Sequence, residues 1–232
     1  MAKNPKNPIP IYQLKIVLKL IFAVNCIAML LLPGCTSKPM TIVCIGDSLT
    51  VCGGKDGRYT DWLSKFLPKH KIVNKGIGGD ILAGGRARFQ HDVLALTPDV
   101  VIIELGANDF WKQKRTIEEL QTDLADMVKR AKEANIEVVI ASCFGQREYQ
   151  DEKSVEFDNS RYDFAKAIGQ MEQVVCKQYD CYYVPNMQID IKPNGTIPYW
   201  GDNNHPNKTG NKLVAKRILP ELKKAIKRAG NK

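Results

Sequence analysis

The chain has 232 residues, 44% of them hydrophobic, which is enough for one substantial core and too little for two independent catalytic domains. Its 34 Lys and Arg residues exceed its 25 Asp and Glu residues, and without residues 1–34 the balance is 30 against 25, a net charge of +5. So small an excess, without dense Lys/Arg stripes, argues against nucleic acid as a partner but is compatible with an anionic membrane surface.

The N-terminal 34 residues are predicted to be a signal peptide. Its first part contains lysines, and an almost wholly apolar run follows from Leu20 to Leu32. Pro33 and Gly34 then precede Cys35. The run is too short for a comfortable bilayer span, which needs about 20 residues. Its ending resembles the lipobox of bacterial lipoproteins, which implies lipid modification of Cys35 and a membrane-anchored protein in the cell envelope, facing the periplasm or the exterior. An uncleaved signal anchor, or an ordinary cleaved signal peptide and secretion, are the alternatives.

After this segment, residues 35–40 are predicted to form a short tether and residues 41–232 one catalytic domain. Cysteines in the domain could pair or stay reduced: Cys176 and Cys181 could form a disulfide bond across a helix-to-strand turn, or both could remain buried thiols. No cysteine or histidine spacing is typical of a zinc site, so no metal is expected.

Short apolar runs alternate along the domain with longer segments of helical periodicity. Strands are predicted at Thr41–Ile45, Lys71–Val73, Val100–Leu105, Glu137–Ala141 and Tyr182–Val184. Helices are predicted near residues 60–67, 81–96, 116–134 and 159–179. A basic amphipathic helix is predicted at 208–228, which Pro220 should interrupt or restart. The alternation is typical of a parallel sheet covered on both faces, so we expect a three-layer α/β/α sandwich with a flavodoxin-like, five-stranded sheet.

Chemically useful residues follow the first three predicted strands. Gly46-Asp47-Ser48 places a hydroxyl on a tight turn, where Gly46 permits unusual backbone angles and the next helix offers free N–H groups. The second strand leads into a glycine-rich turn that contains Gly79, and the third leads to the side-chain amide of Asn108. Because ligands bind beyond the carboxyl ends of parallel strands, we expect these residues to line one site, with Ser48 as the nucleophile.

A serine hydroxyl needs a base, and the base needs an acceptor that holds it in place. His70 and His91 have polar neighbours in the sequence and are expected to be solvated. His205 lies instead on a Gly- and Asn-rich loop, three residues after Asp202 and just before the last helix. A compact turn would let Asp202 accept from one ring nitrogen while the other faces Ser48. The sequence therefore predicts a catalytic triad of Ser48, His205 and Asp202, which requires no cofactor.

Taken together, the segments GDSLT, IGGD, GAND and DNNHP fall in the order and approximate spacing of the SGNH (GDSL-type) hydrolase blocks. The chain resembles that superfamily over nearly all of residues 41–228, and most closely its bacterial thioesterase, lysophospholipase and arylesterase branch. The resemblance implies an oxyanion hole formed by the N–H groups of Gly79 and Ser48 and the amide of Asn108. Losing one such donor typically costs on the order of 10² to 10³ in rate.

The expected activity is hydrolysis of a carboxylic ester or thioester through an acyl-enzyme, weakening at acid pH as His205 becomes protonated. Aromatic residues such as Trp111, Tyr199 and Trp200 could line an acyl groove or simply cover the core. The substrate is left open between lipid esters, such as lysophospholipids, and acetylated polysaccharides. Acyl transfer to an alcohol uses the same triad, and a tethered binding protein without turnover is the alternative from another class.

Overall fold

The computed structural model describes residues 38–112, 114–144, 159–188 and 205–232. Every element given below lies in one compact unit, Pro39–Lys232. The predicted signal peptide, the predicted lipidation site Cys35 and the predicted triad residue Asp202 lie outside the described residues. In the part of the chain that is described, no helix combines the length and the apolar character needed to cross a membrane.

The described strands form one parallel sheet in the order β2-β1-β3-β4-β5. Their bounds are Thr41–Gly46 for β1, Lys71–Gly76 for β2, Val100–Glu104 for β3, Glu137–Ala141 for β4 and Tyr182–Val184 for β5. The three inner strands are almost wholly buried, which explains why they read as continuous apolar runs and not as alternating patterns. The expected flavodoxin-like sheet is confirmed.

Helices cover both faces of the sheet. They are α1 (Ser48–Val51), α2 (Tyr59–Phe66), α3 (Leu82–Asp92), α4 (Ala107–Lys112), α5 (Ile117–Glu133), α6 (Asn159–Gln178) and α7 (Lys208–Ala229), with a 3₁₀ turn at Leu94–Leu96. One apolar cluster packs α3, α5 and α6 on one face, and the other packs α2 and α7 on the opposite face. Successive side chains of β1 point to opposite faces of the sheet, so Val43 belongs to the first cluster and Ile42 to the second. This is the predicted three-layer sandwich.

The last helix departs from prediction. It is uninterrupted from Lys208 to Ala229, so the expectation that Pro220 interrupts or restarts it is wrong. A proline inside a helix costs about 3 kcal/mol. However, Ile218 and Leu222 on either side of it are fully buried, and burial of each side chain contributes about 1.5–3 kcal/mol. The apolar stripe therefore holds the helix together across the proline.

The described residues also test the expectations for two histidines and for one pair of cysteines. His70 is not solvated as expected: its Nδ1 accepts a hydrogen bond from Met40 N at 3.2 Å, and partial burial lowers its pKa. His91 is exposed, as predicted. Cys176 and Cys181 are free thiols, as in the second of the two alternatives left open for them, although only Cys176 is buried and Cys181 is half-buried.

Candidate active site

Ser48 is the first residue of α1, directly beyond the carboxyl end of β1. The preceding residue, Asp47, caps this short helix, because its Oδ1 accepts a hydrogen bond from Leu49 N at 2.8 Å. β1 lies between β2 and β3, so the chain order reverses at this strand. Such a reversal is where open α/β sheets bind their ligands.

The turn needs glycine at position 46 because there is no room for a side chain there. The φ of Gly46 is not in the left-handed region, so the expectation of unusual backbone angles is wrong. A Cβ at this position would lie 2.0 Å from Thr50 Oγ1 and 2.7 Å from the backbone oxygen of Glu104. Glycine is therefore required because α1 and β3 approach the end of β1 so closely.

His205 lies opposite the serine, with its Nε2 2.9 Å from Ser48 Oγ. The two residues are 157 positions apart in the sequence. For Ser48 to donate to this nitrogen, the neutral imidazole must carry its proton on Nδ1. The structure thus brings together two of the three predicted triad residues, while Asp202 lies outside the described part of the chain.

The start of α7 fixes the position of His205. Asn207 caps the helix, and its Oδ1 accepts from the backbone N–H groups of the first turn. Asn211 is buried in that turn, where its Nδ2 donates to Pro206 O at 2.8 Å and its Oδ1 accepts from Tyr59 N at 3.1 Å. Because Tyr59 begins α2, the segment that carries the histidine is anchored to the rest of the same layer.

Two backbone N–H groups beside the serine are available to an oxyanion. Gly79 has φ +77°, a conformation that residues with a side chain rarely adopt, and its carbonyl accepts from Lys112 Nζ at 3.0 Å. Its N–H has no acceptor among the described residues, and the same holds for the N–H of Ser48 at the first position of α1. Both predicted backbone donors are therefore available in the described part of the chain.

The side chain of Asn108 is engaged differently from the prediction. Its Nδ2 donates to Asp47 Oδ2 at 3.0 Å and to the backbone oxygen of Asp80 at 2.9 Å. A carboxamide nitrogen has two hydrogens, so both are already in use. Asn108 lies at the expected strand end, but one of its hydrogens would have to leave its present acceptor to reach a substrate.

A buried carboxyl pair adjoins the nucleophile. Asp47 and Glu104 are in side-chain hydrogen-bond contact, and neither is exposed to solvent. Glu104 also accepts from Thr50 Oγ1 at 2.8 Å. Burial raises the pKa of both carboxyl groups, and the charge of Asp47 raises that of Glu104 further. The pair therefore retains a proton between its two members at pH values where an ordinary carboxyl group has lost it.

Glu104 was missed in the sequence, although it was the one acid inside the predicted apolar strand Val100–Leu105. Arg88 of α3 was missed as well. Its guanidinium joins the segments that form the site by donating to Asp80 Oδ2 at 2.8 Å, Lys75 O at 2.7 Å and Gly46 O at 3.0 Å. The sequence signal available for it was an Arg88/Asp92 pair at helical spacing.

A pocket of about 450 Å³ opens at the serine and the histidine. Its described lining consists of Ser48, Val51, Cys52, Gly53, Gly54, His205, Pro206, Asn207 and Lys208. A second pocket, of about 590 Å³ between α3 and α5, is lined mainly by ion-paired Arg and Asp side chains and contains no nucleophile beside a base among its described residues. Of the aromatic residues considered for an acyl groove, Trp111 is 53% exposed next to Phe110, and Tyr199 and Trp200 lie outside the described residues.

The fold and the motifs at its strand ends define a member of the SGNH/GDSL hydrolase superfamily. Residues 44–213 match the GDSL-like Lipase/Acylhydrolase family, and the chain belongs to that family. Among solved structures, the crystal structure of TesA superposes with a TM-score of 0.67 at 24% identity, covering 80% of this chain and 99% of that one. A catalytic mutant of the acetylxylan esterase Axe2 from Geobacillus stearothermophilus gives 0.64 at 22% identity, covering 79% and 94%. Both show the same fold.

Curated relatives are similar over shorter stretches. The chain is 31% identical to Esterase TesA of Pseudomonas aeruginosa over 122 residues, which are 50% of this chain and 60% of TesA. It is 35% identical to the acetylxylan esterase of Geobacillus stearothermophilus over 86 residues, 30% of this chain and 39% of the enzyme. An arylesterase of Vibrio mimicus is 26% identical over 157 residues, 67% and 71% of the two chains. The first two matches thus span less than two thirds of the relatives' own length.

Proposed function

We propose that this protein is a serine esterase that cleaves carboxylic esters or thioesters through an acyl-enzyme. The observation that carries the proposal is the 2.9 Å contact between Ser48 Oγ and His205 Nε2 at the mouth of a pocket. Membership in the GDSL-like lipase/acylhydrolase family supports it.

In the proposed reaction, Ser48 Oγ attacks the carbonyl carbon while His205 Nε2 takes its proton. Asp202 would accept a hydrogen bond from Nδ1 and stabilise the imidazolium. The imidazolium then gives its proton to the leaving alcohol or thiol. A water molecule attacks the acyl-enzyme with His205 again as the base, and the acid is released as the proton returns to Ser48.

The oxyanion would be bound first by the N–H groups of Ser48 and Gly79, which have no competing acceptor among the described residues. Asn108 would be the third donor, by exchanging its bond to the Asp80 carbonyl for one to the oxyanion. Its other hydrogen bond, to Asp47, would keep the amide oriented during that exchange.

The test is hydrolysis of p-nitrophenyl esters, from acetate to palmitate, by residues 36–232, a fragment that contains both apolar clusters of the described unit. Ser48→Ala is expected to lower kcat by more than about 10³. Ser64→Ala, at an exposed serine of α2 whose hydroxyl donates to Thr60 O, is the matched control and is expected to keep full activity. Equal activity in Ser48→Ala and the parent would refute the proposal, and no turnover by any of them would favour a binding protein.

The second candidate reaction is O-deacetylation of a carbohydrate, which the identity with an acetylxylan esterase favours. A preference for acetate over longer acyl chains, together with acetate release from acetylated xylo-oligosaccharides, would support it. A preference for long chains would favour lipid esters, including lysophospholipids. Product analysis with and without an added alcohol would separate hydrolysis from acyl transfer.

We also propose that Cys35 is lipidated and anchors the protein in the cell envelope. The apolar run Leu20–Leu32 and the segment that ends at Cys35 support this. Metabolic labelling with a radioactive fatty acid is expected to mark the full chain and not Cys35→Ser, whereas Cys26→Ser keeps the label. Labelling that survives Cys35→Ser would refute the anchor.

A further inference from the structure

The charge of the described domain is unevenly distributed over its two helical layers. Helix α7 carries eight Lys and Arg residues against one acid, Glu221, a balance of +7. Helix α5, on the other face of the sheet, carries three basic residues against five acids, a balance of −2. Three Arg side chains of that opposite layer are paired: Arg86, Arg115 and Arg130 all form ion pairs with Asp123 or Asp126.

Five lysines of α7 share one side of the helix. At 100° per residue, they fall within an arc of about 100° and extend over about 29 Å. We call this set the lysine face; it consists of Lys208, Lys212, Lys216, Lys223 and Lys227. No dense stripe was expected from the sequence, because these lysines are spread over 20 residues and only the helix brings them into line.

The lysine face has no carboxylates of its own within the described ranges. The α7 side chains that form ion pairs there are Lys224, with Glu221, and Arg228, with Glu137 and Asp180. Four of the five lysines are exposed, and Lys212 is partly exposed. The face therefore presents five ammonium groups to solvent without internal neutralisation.

Trp62 of the neighbouring helix α2 contacts the lysine face at Lys208 and Lys212. Its ring lies beneath two ammonium groups, Lys65 Nζ at 4.4 Å and Lys212 Nζ at 4.8 Å from its centre. Its Nε1 donates to Lys208 O at 3.0 Å. The ring therefore brings Lys65 beside Lys212, and tryptophan is a residue that is enriched at membrane–water interfaces.

We propose that the lysine face, with Lys65 and Trp62, docks the domain on an anionic phospholipid bilayer. A straight row of single point charges on a convex helix matches a flat, diffuse negative surface better than it matches a folded partner, which would need a groove. The face begins at Lys208, which also lines the pocket of Ser48, so docking brings the pocket to the edge of the contact.

The test is co-sedimentation of residues 36–232 with vesicles of phosphatidylcholine containing 30 mol% phosphatidylglycerol, against vesicles of phosphatidylcholine alone. A lysine at such a surface contributes about a fivefold gain in partitioning. Lys216→Glu/Lys223→Glu is therefore expected to weaken binding by about 25-fold or more, and Lys216→Gln/Lys223→Gln by less. Raising the salt should release the parent protein, because the Debye length falls to about 3 Å at 1 M.

The matched control is Lys166→Glu/Lys177→Glu, which changes the net charge equally at two exposed lysines of α6 in the opposite layer. It is expected to bind as the parent does, and unchanged circular dichroism would show that all variants are folded. Equal losses in both Glu variants, or equal binding to the two kinds of vesicle, would overturn the proposal. Binding to soluble heparin without binding to phosphatidylglycerol vesicles would also overturn it and assign the face to a polyanionic chain.

Discussion

Replacing Glu104 by Gln is expected to stabilise the protein, by an amount that grows with pH. The pKa of Glu104 is raised by burial and by the charge of Asp47, so the folded protein keeps a proton that the unfolded chain has lost. A carboxyl group of this kind contributes stability that is complete below its unfolded pKa and disappears as the pH rises through its folded pKa. Glutamine has no such proton, so its contribution does not change with pH.

The magnitude follows from the proton balance. Between the unfolded and folded pKa values of Glu104, the free energy of unfolding of the parent falls by about 1.4 kcal/mol for each pH unit relative to the variant. Near pH 4.5 the parent and Glu104→Gln are expected to agree within about 1 kcal/mol, because the amide of the variant can still donate to Asp47 as the protonated acid does.

The assay is urea unfolding of both proteins at pH 5, 6, 7 and 8. Glu133→Gln, at an exposed glutamate of α5, serves as the control that removes an equal charge without burial. The free energies of unfolding of the parent and Glu104→Gln are expected to diverge as the pH rises toward the folded-state pKa of Glu104, with no divergence for the control. A constant offset between the parent and Glu104→Gln at every pH would refute the shared proton.

Three further outcomes are expected. Asn108→Ala should lower kcat for p-nitrophenyl acetate by about 10² to 10³ with little change in KM, and an effect on KM alone would exclude it as an oxyanion donor. Gly46→Ala should lower the free energy of unfolding by about 2 kcal/mol or more, since its Cβ would lie 2.0 Å from Thr50 Oγ1; an unchanged melting temperature would contradict the close approach. Burial raises the pKa of Glu172 from 4.5 to about 8, so Glu172→Gln should keep stability that the parent loses as pH rises between those values; parallel pH profiles in urea unfolding would count against it.

The sheet and the positions of Ser48, Gly79, Asn108 and His205 could be predicted because each depends on local information. Buried parallel strands are apolar along their length, Ser48, Gly79 and Asn108 come shortly after three strands, and His205 comes just before the last helix. Glu104 and Arg88 could not be found in this way. Their roles arise from contacts between elements distant in the sequence, such as Arg88 with Gly46 O, which no local pattern encodes.

The lysine face could not be predicted because the sequence suggested that Pro220 interrupts α7. An interruption at Pro220 would have let the helix restart with an unrelated phase, and Lys223 and Lys227 would then have no fixed angular relation to Lys208 and Lys216. The continuous helix fixes that relation, because burial of Ile218 and Leu222 on the same side holds the turns before and after the proline in phase. The apolar stripe of α7 thus determines its charged side as well: the residues that bind the helix to the sheet also direct five lysines to one surface.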